Sequence, residues 1–295
     1  MSNQNSISLF SVVSLSPFKV AMTWLMVVAE NILLILLPLL IGYAIDGVLE
    51  NNTAPLLAFA ASLFGLVVVS VLRRFYDTRV YGDIRVKLAE TVAHNLRGTD
   101  ISAKNARLMM SRELVDFLEN DLPALMTAGI QLVSIVIILA TFHTYFALSV
   151  LAASCAMLLV YGCCHSTFKH LNGRLNDQTE KQVKILSGKP FAALSAHLEK
   201  LKKHEIALSD TEALVYGCIF SLLFVSVLGN LWLVNMLPSP STGEVFSILT
   251  YSLEFVDTAI MLPVTLQVLS RLEEITQRLN RDESVVNDKE ASYEV

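Results

Sequence analysis

Glu30, Glu254 and Asp257 are carboxylates set in otherwise apolar stretches, and Asn31 and Gln131 are amides in the same kind of setting. An aspartate at the centre of a bilayer-spanning helix costs about 2.5 to 3.5 kcal/mol, so such groups face protein, water or a ligand rather than lipid. Glu254 and Asp257 stand three residues apart, which puts them on one face of a helix. Two chemistries suit acids so placed: carriage of a proton by a desolvated carboxylate, and pairing with a cationic ligand. The inert alternative is that they line a wet cavity or bond to Ser, Thr and Asn without titrating. These five residues are the expected substrate or proton pathway.

The elements that must hold them follow from composition. With 54% hydrophobic and 17% charged residues among 295, the chain is too apolar for an ordinary soluble protein. Apolar runs predict six spans, at about 20–44, 54–72, 122–142, 145–164, 212–236 and 243–269, the first interrupted by Glu30-Asn31 and Pro38. Residues 1–18 form a mildly amphipathic segment (Ile7, Leu9, Phe10, Val12, Val13) expected to lie along the membrane surface. No basic region precedes Lys19, so no cleaved leader is expected. Residues 281–295 read as an acidic, disordered tail.

Helical periodicity does not stop where the apolar runs do. After Arg73 apolar residues recur at Phe75, Val80, Ile84, Leu88 and Val92 with charges between them, which predicts a helix continuing from bilayer into water. Residues 73–121 and 165–211 thus form two helical hairpins of nearly equal length, turning near Gly98-Thr99-Asp100 and near Ser187-Gly188-Lys189-Pro190. Lys and Arg occur once before span 1, nine times in the first hairpin, eight in the second and four after span 6, which accounts for all 22. The positive-inside rule therefore puts both termini and both hairpins in the cytoplasm.

Other chemistry finds little support. Cys155, Cys163, Cys164 and Cys218 lie in or beside apolar runs and read as packing residues. Cys163 and Cys164, with His165 and His170 nearby, point to different helix faces, so no metal site is expected. His94, His197 and His204 fall in charged helices where a solvated face is expected, and no catalytic constellation can be placed. Hairpin bases are interleaved with acids, which argues against nucleic-acid binding.

Three stretches carry a resemblance: Leu37-Pro38-Leu39-Leu40-Ile41-Gly42-Tyr43-Ala44-Ile45-Asp46, Ser111-Arg112-Glu113-Leu114 through Asn120-Asp121, and Gly243-Glu244-Val245. Together with the layout they resemble the six-helix transmembrane domain of type IV ABC transporters, the ABC exporter fold, over about residues 10–280, with the six-helix domain itself at 19–280. The resemblance implies an all-α membrane protein in the bacterial inner membrane, a homodimer in contact with lipid. It also implies hairpin tips, here Gly98, Thr99, Asp100, Ile101 and Gly188, Lys189, Pro190, Phe191, that dock on a nucleotide-binding ATPase. The sequence contains no GxxxxGK[ST] phosphate loop. No ATPase activity and no cofactor are therefore expected in this chain, and ATP hydrolysis would come from a separate subunit. Proton-coupled transport through Glu30, Glu254 and Asp257 is the alternative, sharpened by the expectation that no Lys or Arg reaches their depth. A non-transporting membrane scaffold is the third reading.

Overall fold

The computed structural model describes residues 9–95, 101–186 and 191–261. All the regular structure among them is helical: α1 (Leu9–Ser14), α2 (Pro17–Leu49), α3 (Ala54–Asn95), α4 (Ile101–Asp116), a π-helical turn (Phe117–Asp121), α5 (Leu122–Phe142), α6 (Thr144–Leu186), α7 (Phe191–Leu233), a 3-10 turn (Val234–Met236) and α8 (242–261). Five of these segments are long and apolar enough to cross a membrane. The sixth expected span falls on α8, which carries Glu244, Glu254 and Asp257.

Helix boundaries follow local chemistry. Pro17 opens α2, where its missing N–H costs nothing. Pro38, one of the residues that interrupt the apolar run of span 1, lies inside that helix without ending it. The helix ends where Asn51 adopts a left-handed φ of 58° and the Asn52 N–H returns to the Gly47 carbonyl at 2.7 Å. The start of α8 is a capping box: the Glu244 N–H donates to Ser241 Oγ at 3.0 Å, and the Glu244 carboxylate accepts the Ser241 N–H at 3.1 Å.

The described chain forms two compact units. One contains α1 to α4, the π turn, α5 up to Ile135, Ser241–Ser247 and α8 from Asp257. Its core joins Val12 and Val20 to Val80, Tyr81, Ile84, Leu88 and Val92 of α3 and to Leu114, Val115, Phe117 and Leu118. Those α3 positions recur at helical spacing on one face, so the aqueous extension of span 2 buries a stripe against α4. The apolar side of α1 is part of this core. The face expected to lie on lipid is taken by protein, because the hairpin stripe offers Val12 a fully enclosed site. Val12→Asp would bury an unpaired carboxylate, at a cost of several kcal/mol. It is expected to lower the thermal midpoint of the purified protein sharply, while Ser14→Asp, at an exposed position, leaves it within a degree or two. Equal melts for the two variants would mean that α1 does not dock there.

Within the same unit, α8 meets α2 through backbone. Gly42 and Gly243 pack so closely that neither has space for a Cβ. Beside them Ser247 donates to the Pro38 carbonyl at 2.9 Å, and Asp46 accepts the Gly243 N–H at 2.7 Å and the Ser241 hydroxyl at 2.6 Å.

The other unit contains the rest of α5, α6, α7, the 3-10 turn and residues 248–256. Its helices α6 and α7 have 43 residues each, about 65 Å at 1.5 Å per residue. Phe146, Val150, Ala153 and Met157 on α6 and Ile219, Leu223 and Val227 on α7 are buried at i, i+3/i+4 spacing. Ser149 and Ser226 bond at 3.0 Å, and Asn230 donates to Ser252 at 2.9 Å. His197, expected on a solvated face, is 2% exposed and its Nδ1 lies 2.8 Å from Gln178 Nε2. The two helices stay packed into the charged part of the hairpin, and His197 and Gln178 fill that seam.

Candidate functional site

The polar centre of the first unit begins with four helices that exchange bonds at successive levels. Ser70 on α3 donates to Glu30 on α2. One residue further on, Asn31 is 1% exposed and donates to the Val27 carbonyl at 2.8 Å and to Thr127 on α5 at 2.9 Å. One turn further along α5, Gln131 Oε1 accepts from the Thr258 hydroxyl on α8 at 3.3 Å. These bonds hold Glu30, Asn31, Thr127, Gln131 and Thr258 within about two helical turns of one another along the bundle.

Arginine reaches this level. Arg73 Nε stands 2.5 Å from Glu30 Oε2, and its Nη1 stands 3.3 Å from Asp77 Oδ2. The expectation that no base shares the depth of the intramembrane acids is therefore wrong for Glu30. The reason is reach: Arg73 sits one turn beyond Ser70, and its aliphatic stem carries the guanidinium back along the helix. Glu30 and Asp77 retain only 15% and 4% of their side-chain exposure, so this is a largely desolvated three-member network.

A second network lies at the π turn. Arg85 pairs with both Asp116 and Glu119. The turn is closed by the Leu122 N–H bonding back to the Phe117 carbonyl, an i to i−5 bond. A wider turn changes the angular step between residues, and such turns recur at functional sites. Here Phe117, Leu118 and Glu119 are buried while Asn120 and Asp121 reach a cavity wall.

That cavity has a volume of about 660 Å³. Its wall combines Val27, Glu30, Arg73 and Arg74 with Glu119, Asn120, Asp121, Pro123, Ala124, Thr127, Ala128 and Gln131, and is completed by Asp257, Thr258 and Met261 of α8. The volume falls in the range of sites for drug-sized molecules. Chemically it is a mixed chamber, with charged and polar side chains set beside the apolar surface of Val27, Pro123, Ala124, Ala128 and Met261, suited to holding and orienting a solute. Among the described residues no cluster of three or more His, Cys, Asp or Glu side chains could hold a metal ion.

Of the expected pathway residues, Glu30, Gln131 and Asp257 line the cavity, and Asn31 stands behind the wall, holding Thr127. Glu254, one turn before Asp257 on α8, is half-buried and is not among the lining residues. Of the expected docking tips, Ile101 and Phe191 open α4 and α7. Gly98, Thr99, Asp100, Gly188, Lys189 and Pro190 lie outside the described residues. Sequence reasoning missed Ser70, Thr127, Thr258 and Asp121 as site residues, and it missed Arg73 as a partner of Glu30. The signal for Arg73 was its place in the first turn beyond an apolar run; no sequence signal singles out the three hydroxyl residues from the other Ser and Thr of the spans.

Comparison with known proteins adds the following. A family model described as an ABC transporter transmembrane region matches residues 14–243. A solved bacterial Atm1-family ABC exporter with ATP bound is similar in fold, with a TM-score of 0.61 at 16% identity, over 90% of this chain and 53% of that one. The chain thus spans about half the length of that exporter. No curated protein matches by sequence.

Proposed function

The chain belongs to the ABC transporter transmembrane region family, and on that premise we propose that it is the membrane permease of an exporter-type transporter, moving a small solute through the cavity between α2, α3, α5 and α8. The cavity carries this reading: it is large enough for a solute and is built from spans 1, 2, 3 and 6. A scaffold has no use for such a chamber or for a carboxylate inside it.

The driving force comes from a nucleotide-binding domain that these 295 residues, which contain no phosphate loop, do not include. The permease works as a homodimer in a bacterial inner membrane, with the hairpin tips on the cytoplasmic side, a reading supported by the distribution of Lys and Arg. It supplies no catalytic residue of its own; hydrolysis belongs to the partner ATPase. A second reading, proton-coupled transport, rests on Asp257. Glu30 is held by Arg73 and Ser70 in this arrangement.

The test is solute flux in inside-out membrane vesicles from cells expressing the chain with its native neighbours, using fluorescent cationic, neutral and anionic solutes. Flux that needs ATP, stops with vanadate and survives an uncoupler is the expected result. Flux driven by an imposed proton gradient without ATP, and lost in Asp257→Asn, would replace this proposal with the proton-coupled reading.

A further inference from the structure

We infer that the cavity receives an organic cation, an apolar body bearing one positive charge, with the Asp257 carboxylate as its counter-charge; this deepens the transport reading and rests on it for the path the solute takes.

The charges of the wall decide the sign. Six charged side chains line it, and three are already committed: Glu30 and Arg73 to each other, and Glu119 to Arg85, which stands outside the lining. Arg74, Asp121 and Asp257 remain. Arg74 and Asp121 sit where α3 and the π turn leave the apolar spans, at the end of the chamber that meets water. Asp257 is itself an exposed side chain on the cavity wall, next in sequence to Thr258, whose hydroxyl bonds Gln131 two turns into α5. Among the described residues no Lys, Arg or His comes within ion-pair distance of Asp257, while Val27, Ala128 and Met261 give the same wall its apolar surface. An anion entering that end would meet one uncompensated negative charge. A neutral solute would strip water from the carboxylate and return nothing for it. A cation gives an attraction that grows as water leaves the site.

Size separates an organic cation from a bare ion. Ca²⁺ needs six to eight oxygen ligands at 2.3–2.6 Å, whereas the inner end offers one carboxylate and a 660 Å³ volume. A flat or branched hydrocarbon body fills that space and buries the apolar wall, leaving the charge for Asp257.

The probe is ethidium, an aromatic monocation, with anilinonaphthalene sulfonate as an anion of similar size. Binding of each to the full chain in lipid nanodiscs is followed by fluorescence. The expected result is saturable ethidium binding displaced by tetraphenylphosphonium, at least tenfold tighter than the anion. Asp257→Asn is expected to raise the ethidium Kd tenfold or more, and Asp257→Glu to stay within about threefold of wild type. Ala124→Trp fills the chamber from an exposed wall position and is expected to abolish ethidium binding without touching the carboxylate. The cation-to-anion comparison on wild type needs no variant and stands even where a substitution fails to fold. Anion binding as tight as cation binding, an unchanged Kd in Asp257→Asn, or no saturable ethidium binding overturns the inference. Ethidium binding without flux in vesicles defeats the transport reading alone, and flux of neutral or anionic solutes without ethidium binding defeats the cation site alone.

Discussion

Gly243→Ala is expected to lower the thermal midpoint of the purified protein by on the order of 10 °C. An added Cβ would overlap the Gly42 carbonyl oxygen and stand 2.6 Å from both the Gly42 carbonyl carbon and Asp46 Oδ2. Two of those atoms are backbone, so no rotamer change relieves the clash, and α2 and α8 must separate. Overpacking of this kind costs about 1–3 kcal/mol. Separation also weakens the Asp46 bonds to Gly243 and Ser241 and the Ser247 bond to Pro38, each worth about 1 kcal/mol. A shift of about 2–4 °C per kcal/mol for a chain approaching this size gives the stated drop. Gly82→Ala in α3 is the control: nothing lies within 4 Å of its Cβ position, so the better helix propensity of alanine should hold or raise the midpoint. Fluorescence-detected size-exclusion melts of the two variants beside wild type make the comparison. If Gly243→Ala melts with Gly82→Ala, α2 and α8 do not meet through these glycines.

The contrast between those two glycines shows what could be read in advance. Both are single glycines in helical pattern, and nothing in the neighbouring residues of either says that one touches a backbone nearly 200 positions away. The Ser241 to Glu244 capping box is local and stood in the sequence as a Ser-x-x-Glu; its second bond, to Asp46, is not local and could not be read. The same division runs through the site. The long helices and their apolar spans were legible because apolar runs and helical period are one-dimensional properties. The acids themselves were legible because a carboxylate in an apolar run is unusual. Their partners were not. Whether Asp257 or Glu254 lines a chamber depends on the rotation of α8, and whether Glu30 is paired depends on how far Arg73 reaches back along α3. The π turn at Phe117–Asp121 adds a further rotation that a fixed 3.6 period does not anticipate. His197 reads as solvated from its charged neighbours in sequence, yet the neighbour that buries it, Gln178, comes from the other arm of the hairpin.

Arg73→Gln tests the pairing that the sequence hid. The substitution removes the charge shared by Glu30 and Asp77 and leaves two carboxylates with 15% and 4% side-chain exposure facing each other's field. Breaking a buried ion pair by deleting one partner costs about 3–5 kcal/mol, most of it the desolvation of the charge left behind. Asp77 Oδ1 already has no hydrogen-bond partner, so Asp77 has little else to fall back on, whereas Glu30 keeps the Ser70 hydroxyl. A drop in thermal midpoint comparable to that of Gly243→Ala is therefore expected. Lysine should recover only part of it, because an ammonium is a single point charge and cannot present two nitrogens to two carboxylates in the fixed geometry of a guanidinium. The decisive measurement is a double-mutant cycle with Glu30→Gln. If the pair is as tight as its geometry, the double variant loses less than the sum of the two single losses, with a coupling of about 1–3 kcal/mol. Strict additivity would place Arg73 and Glu30 out of each other's reach.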